Sequence, residues 1–131
     1  MSAWDESRYG LGVAEMDATH REFLDLVAAA IAAPDEAFPG LYGELREHTR
    51  RHFEHEALLM RRCRFSAIGE HEREHLRVLG ELAQFARGVT GGRIAMARAY
   101  VRELPSWFNQ HLVTMDSALA ASLKAALAQA V

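Results

Sequence analysis

The sequence predicts an all-α protein: an antiparallel, up-down four-helix bundle whose C-terminal tail extends the last helix or packs as a short fifth one. Three observations predict it. Four long segments carry apolar residues at helical spacing, short loops join them, and no segment alternates apolar with polar residues as a half-buried strand does. The chain has 131 residues, 50% of them hydrophobic and 25% charged, which fits one globular domain spanning residues 1–131.

The first helix spans Asp17 to Ala33, where Phe23, Leu26, Val27, Ala30 and Ile31 form one stripe. Asp17 is its expected N-cap and Pro34 its stop. A second helix runs from about Pro39 to Arg62, with Leu41, Leu45, His48, His52, Glu56, Leu59 and Cys63 along one face. Ser66 is expected to cap a third, which continues to about Arg87 through Ile68, His71, His75, Val78 or Leu79, Leu82 and Phe85, and Gly88 ends it. Gly91 and Gly92 turn the chain into a fourth helix near Arg93, with Ala97, Val101, Leu104, Phe108, His111 and Met115 inward. Pro105 lacks an amide hydrogen and crowds the carbonyl of Val101, which predicts a kink or a restart just before Trp107. In the tail, Leu119, Leu123 and Leu127 recur every fourth residue.

Composition excludes several classes of function. The formal net charge is -3, and the Arg residues alternate with Glu along the helices, so no basic stripe exists for a nucleic-acid backbone. Cys63 is the sole cysteine and cannot form an internal disulfide. The N-terminus lacks the apolar core of a secretion signal, and no run reaches the roughly 18 apolar residues of a membrane span. A cytoplasmic protein is expected.

The informative residues are ionisable ones in line with the core. His52 and Glu56 are four apart and share a face, as do His71 and His75; His20 lies on the apolar stripe of the first helix. His111 and Asp116 are five apart, a wider angular step from which the carboxylate must turn back. A lone His on an apolar face is ordinarily a hydrogen-bonded core residue, and a single HxxxH is a weak signal. Five inward His and two inward carboxylates on four helices differ, because each would otherwise need its own neutralising partner away from water. A metal centre satisfies all seven. Imidazole with carboxylate suits iron, zinc, copper or manganese, and the lack of thiolates removes the iron–sulfur class. Seven ligands exceed what one ion takes, so two ions sharing the carboxylates fit better.

The order of these residues also resembles the hemerythrin family. That family's pattern of Asp-x-x-His, His-Phe-x-x-Glu-Glu, His-x-x-x-His and Trp-x-x-x-His-x-x-x-x-Asp appears as 17-DATH-20, 52-HFEHEA-57, 71-HEREH-75 and 107-WFNQHLVTMD-116. The leading 4-WDESRYGLGV-13 resembles the opening of bacterial members, so the likeness runs from about Trp4 to Asp116. Two positions depart from it: Ala57 replaces a second, non-ligating Glu, and Phe65-Ser66 replaces a common Tyr-Pro. Neither removes a ligand.

The resemblance implies two non-haem irons joined by an oxo or hydroxo group. His71, His75 and His111 bind one, His20 and His52 the other, and Glu56 and Asp116 bridge them. The iron at His20 and His52 is five-coordinate and is where dioxygen would bind. Five imidazoles and two carboxylates leave a diferrous centre with a formal charge of about +1, which favours reversible binding over O–O cleavage. Oxygen storage, transport or delivery is therefore the expected function, in a carrier and not an enzyme, with an oxygen-consuming protein as its partner and a monomer or weak oligomer as its state. The competing classes are an oxygen-sensing or regulatory domain and a peroxidase, oxidase or nitric-oxide-handling enzyme; the last needs an added acid or a radical-forming Tyr, and Tyr100 alone lies midway along a metal-bearing helix, off the ligand face. Leu24, Phe53, Phe108 and Leu112 are the expected pocket lining, with Trp107 as a wall and Thr114 as the one nearby hydroxyl. His48 and His55 are not expected to be ligands; His48 is a neighbour of the inner face and His55 meets solvent.

Overall fold

Each of the four apolar stripes folds as a helix. The computed structural model describes residues 4–129. After one helical turn, α1 (Glu6–Tyr9), come the long helices α2 (Ala14–Ala32), α3 (Phe38–Arg62), α4 (Ile68–Thr90) and α5 (Ala95–His111). A π-helical turn, Leu112–Asp116, then leads directly into α6 (Ser117–Gln129). α2 packs on α3, α3 on α4, α4 on α5, and α5 back on α2, which closes the bundle. The tail is thus helical through Gln129; residues 130–131 lie outside the described residues.

Two apolar clusters hold the bundle together. The larger joins Phe23 and Val27 of α2, Tyr42, Leu45 and Phe53 of α3, Val78 and Leu82 of α4, and Val101, Leu104 and Phe108 of α5. Within it the buried Tyr42 hydroxyl donates to the Leu82 carbonyl at 2.6 Å, so its polar end is satisfied. The smaller joins Met16, Leu59, Met60 and Phe65 to Leu119, Ala120 and Leu123 of α6. Along α2, His20 lies between Met16 of the second cluster and Phe23 of the first; along α3, Glu56 lies between Phe53 and Leu59. A polar layer is therefore set between two apolar ones, with α6 lidding its far side.

Several ends differ from expectation. α2 begins three residues before Asp17, which lies inside the first turn and accepts from the amides of Leu11 at 2.9 Å and Gly12 at 3.3 Å. Asp17 thus pins the entering loop, whose Gly12 has φ +76°, and Val13 takes the N-cap place without a side-chain bond. Ser66 likewise does not cap α4, which starts after Ala67. α3 ends in a Schellman turn: Phe65 N–H bonds to Met60 C=O at 2.8 Å, Arg64 occupies the left-handed region, and Phe65 folds back onto the second cluster. α4 passes through Gly88 to Thr90. The glycine there admits the Arg93 carbonyl, 2.9 Å from where a Cβ would stand. α5 does not restart at Pro105; it is one helix from Ala95 to His111. Ile31 and Leu127, expected on apolar stripes, are exposed; on α2 it is Ala30, one residue before Ile31, that enters the core.

Candidate metal centre

The polar layer gathers all seven residues singled out in the sequence. α2 supplies His20, α3 His52 and Glu56, α4 His71 and His75, α5 His111, and the π turn Asp116; all are buried. The i, i+4 spacing places the pairs on α3 and α4 one above the other. The π turn does the same for His111 and Asp116: its Ser117 N–H reaches the carbonyl of Leu112, five residues back, so residues five apart stack as residues four apart would in an α-helix. Met115, the position an α-helix would have turned inward, is half-buried instead.

Each carboxylate divides its oxygens between two sides. Glu56 Oε2 lies 3.2 Å from His20 Nε2 and 2.8 Å from His52 Nε2, whereas its Oε1 lies 3.3 Å from the Nε2 atoms of both His71 and His75. Asp116 Oδ2 faces His20 Nε2 at 3.2 Å, and Oδ1 faces His71 at 3.2 Å and His111 at 3.3 Å. Across the three-imidazole side, His75 Nε2 and His111 Nε2 are 3.1 Å apart.

Protons alone satisfy this arrangement poorly. Glu56 Oε1, both Asp116 oxygens and His71 Nε2 are buried without a well-aligned hydrogen bond, though they crowd within contact distance of one another. Isolated buried ionic groups cost several kcal/mol each. Cations resolve the conflict, since lone pairs that point at a common centre are what a metal requires. Ligand atoms of Glu56, His71, His75, His111 and Asp116 lie within 4.8 Å of one another, as do those of His20, His52 and Glu56, so the residues form two metal-sized groups that share Glu56. Nitrogen and carboxylate donors without thiolate match iron and its first-row neighbours.

Electrostatics agree with the geometry. Burial pushes the His20 and His71 rings down, but the Asp116 and Glu56 carboxylates against them prevail and raise both to about 9. His75 has only the Glu56 oxygen to offset its burial and falls to about 4, with His71 and His111 adding to the fall. Burial opposes ionisation of Glu56 and Asp116, yet the surrounding imidazoles hold both carboxyls well below the usual range.

Aromatic rings close around the layer. Phe53 stacks on His75 at 3.7 Å and touches His52 at 5.3 Å, Phe108 meets His20 edge-on at 5.1 Å, and Phe23 lies 6.1 Å from His52. Trp107 stacks on His111 at 4.7 Å and donates from Nε1 to Glu74 at 2.9 Å, which makes it a wall of the site as expected. Leu24 and Leu112 are buried in the same apolar cluster. Thr114 is exposed and donates to the Gln110 carbonyl at 2.6 Å, so its hydroxyl is engaged along its own helix. Tyr100 donates to Glu81. His48 is half-buried beside Glu22, and His55 is partly exposed and paired with Glu15 at 3.0 Å. Sequence reasoning missed Glu74 as the anchor of Trp107; its place beside His75 and three residues before Arg77 was the available signal. It also took Phe23 for core alone.

Comparison with known proteins decides the family. The profile described as "Hemerythrin HHE cation binding domain" matches residues 11–123. The chain belongs to the hemerythrin family. It is 34% identical over 113 residues to a bacteriohemerythrin of Ralstonia nicotianae, covering 86% of this chain and 82% of that protein. The crystal structure of wild-type hemerythrin superposes with a TM-score of 0.83 at 19% identity, covering 94% of this chain and 98% of that one. A mutant hemerythrin superposes with a TM-score of 0.83 at 19% identity and the same coverage. At such identity the two crystal structures speak for the bundle. The buried His, Glu and Asp cluster has the donor set of a hemerythrin di-iron centre.

Proposed function

We propose that this hemerythrin-family chain binds dioxygen reversibly at its di-iron centre, for oxygen storage or for delivery to an oxygen-consuming partner. His71, His75 and His111 would hold one iron and His20 and His52 the other, with Glu56 and Asp116 shared between them. The observation that carries the reading is the unequal division of imidazoles around two shared carboxylates. With two imidazoles against three, the His20 and His52 side would offer an ion fewer protein donors, and the rings of Phe23, Phe53 and Phe108 border that side. When bound, the ferrous pair supplies electrons for reversible capture of dioxygen.

The rest is the work of the chain. Where Phe23, Phe53 and Phe108 border the site its wall is apolar, and on that face water and proton supply are restricted, which protects a carrier from losing its ligand as peroxide. The hydroxyls that an oxidase would use are engaged elsewhere: Tyr100 donates to Glu81 and Thr114 to Gln110. Among the described residues, no helix is long and apolar enough to cross a membrane.

The test is to load the protein with iron, count the metal, and cycle the reduced form between oxygen and argon while recording its visible spectrum and assaying hydrogen peroxide. Two irons per chain and a band that appears and vanishes in every cycle are expected. One iron, a preference for zinc when both are supplied, or stoichiometric peroxide after one exposure would overturn the reading.

A further inference from the structure

His48 and His55 have no place in the seven-residue centre, yet they line an opening to it. A pocket of about 230 Å³ is bounded by Thr19, Glu22, His48, Arg51, His52 and His55. His52 forms its floor, and the His48 ring stands 6.0 Å from the His52 ring. His48 Nε2 is 3.6 Å from Glu22 Oε2, and its Nδ1 is buried without a hydrogen-bond partner. Arg51, the one fixed cation of the lining, is paired with Glu47 at 3.7 Å.

Glu22, His48, His52 and Glu56 carry donor atoms of metal-ligating type at graded depth. Side-chain exposure falls from 65% at Glu22 to 13% at His48, 5% at His52 and 2% at Glu56. A hydrated divalent cation meets a solvated carboxylate first, then a half-buried imidazole, then the centre. Each protein ligand can replace a departing water, so the ion need never lose its whole shell at once, a loss that would cost many kcal/mol. A second opening, of about 240 Å³, reaches His71 between Phe65, Ala67, Glu70, Thr114, Met115 and Ala118. It offers one carboxylate and no imidazole ahead of the centre, and so provides no such series.

We propose that the Glu22–His48 pocket is the route by which ferrous iron enters and leaves the centre, with Glu22 as the capture carboxylate and His48 as the transfer ligand ahead of His52. The proposal rests on the di-iron reading above. A ligand on the path lowers the barrier in both directions, whereas a resident ligand changes affinity; the two are separable by kinetics. The experiment takes the iron-loaded protein, measures ferrous release to a chelator under argon, and then measures reloading with ferrous iron. Glu22→Gln removes the outer charge, and His48→Phe keeps a ring against His52 while removing the donor atoms. In the double variant, release and reloading should slow by the same factor, about tenfold, with two irons at equilibrium and an unchanged oxygenated spectrum. Glu70→Gln, at the second opening, should change neither rate. Unchanged rates in the double variant, equal slowing in Glu70→Gln, or wild-type release that tracks global unfolding in urea would overturn the route. Failure of the wild type to hold two irons would instead defeat the di-iron reading itself.

Discussion

Glu56 touches four imidazoles with two oxygens, and no other side chain of the centre does as much. Its removal should therefore cost more than one bond. In Glu56→Ala, iron per chain is expected to fall below two, and the metal-free protein to lose about 3–5 kcal/mol, the range for breaking a buried ion pair. Metal analysis and denaturant unfolding of the same preparations check this, and unchanged values in both would contradict the assignment. At this scale the sequence was highly legible: the i, i+4 pairs on α3 and α4 named their own partners, because helical geometry fixes which residues share a face. The division of labour between Oε1 and Oε2 was not legible. It depends on how four helices approach one another, which no local pattern encodes.

The helices were legible as stripes and their ends were not. Asp17 illustrates why: an Asp ahead of an apolar stripe serves equally well as an N-cap or as a clamp on the preceding loop, and only the path of residues 11–13 selects the clamp. Gly88 was readable as a stop, but the local turn that folds Arg93 back onto it is what requires it. The π turn was hinted at by the odd spacing of His111 and Asp116 and explained only by the structure. Its register is held from beyond, since Leu119, Ala120 and Leu123 are locked into the second apolar cluster with Met16, Leu59 and Phe65. Rewinding the turn as α-helix would rotate these residues out of that cluster. Moving the carboxylate to the α-helical position, in the double variant Met115→Asp with Asp116→Ala, should therefore leave the centre without its second bridge. Metal analysis is expected to return fewer than two irons, with far-ultraviolet circular dichroism unchanged; full occupancy would show that the turn is free to rewind.

For the whole molecule, the polar layer between two apolar clusters links stability to both metal and pH, and the two act with opposite sign. In the metal-free protein, His20 and His71 are raised from 6.5 to about 9 by Glu56 and Asp116. A raised imidazole stabilises the fold fully below its unfolded value, and that stabilisation is lost as pH climbs through the folded value. Glu56 and Asp116, held low, contribute above the ordinary carboxylate range and lose their contribution only in acid. His75, lowered to about 4, opposes folding only below about pH 6.5, where the unfolded ring gains a proton that the folded ring refuses. Between pH 6.5 and 9, then, the titrations of His20 and His71 dominate, and both weaken the metal-free fold, by a few kcal/mol on the order of magnitude that two such shifts imply. Iron reverses the dependence, because imidazole must be deprotonated to bind it, so rising pH helps the loaded protein or leaves it unchanged. Calorimetry across this window should show the melting temperature of the metal-free protein falling by at least about 5 °C, while that of the iron-loaded protein stays level or rises. Parallel curves for the two forms would mean that the carboxylates do not hold those protons, and that iron does not take their place.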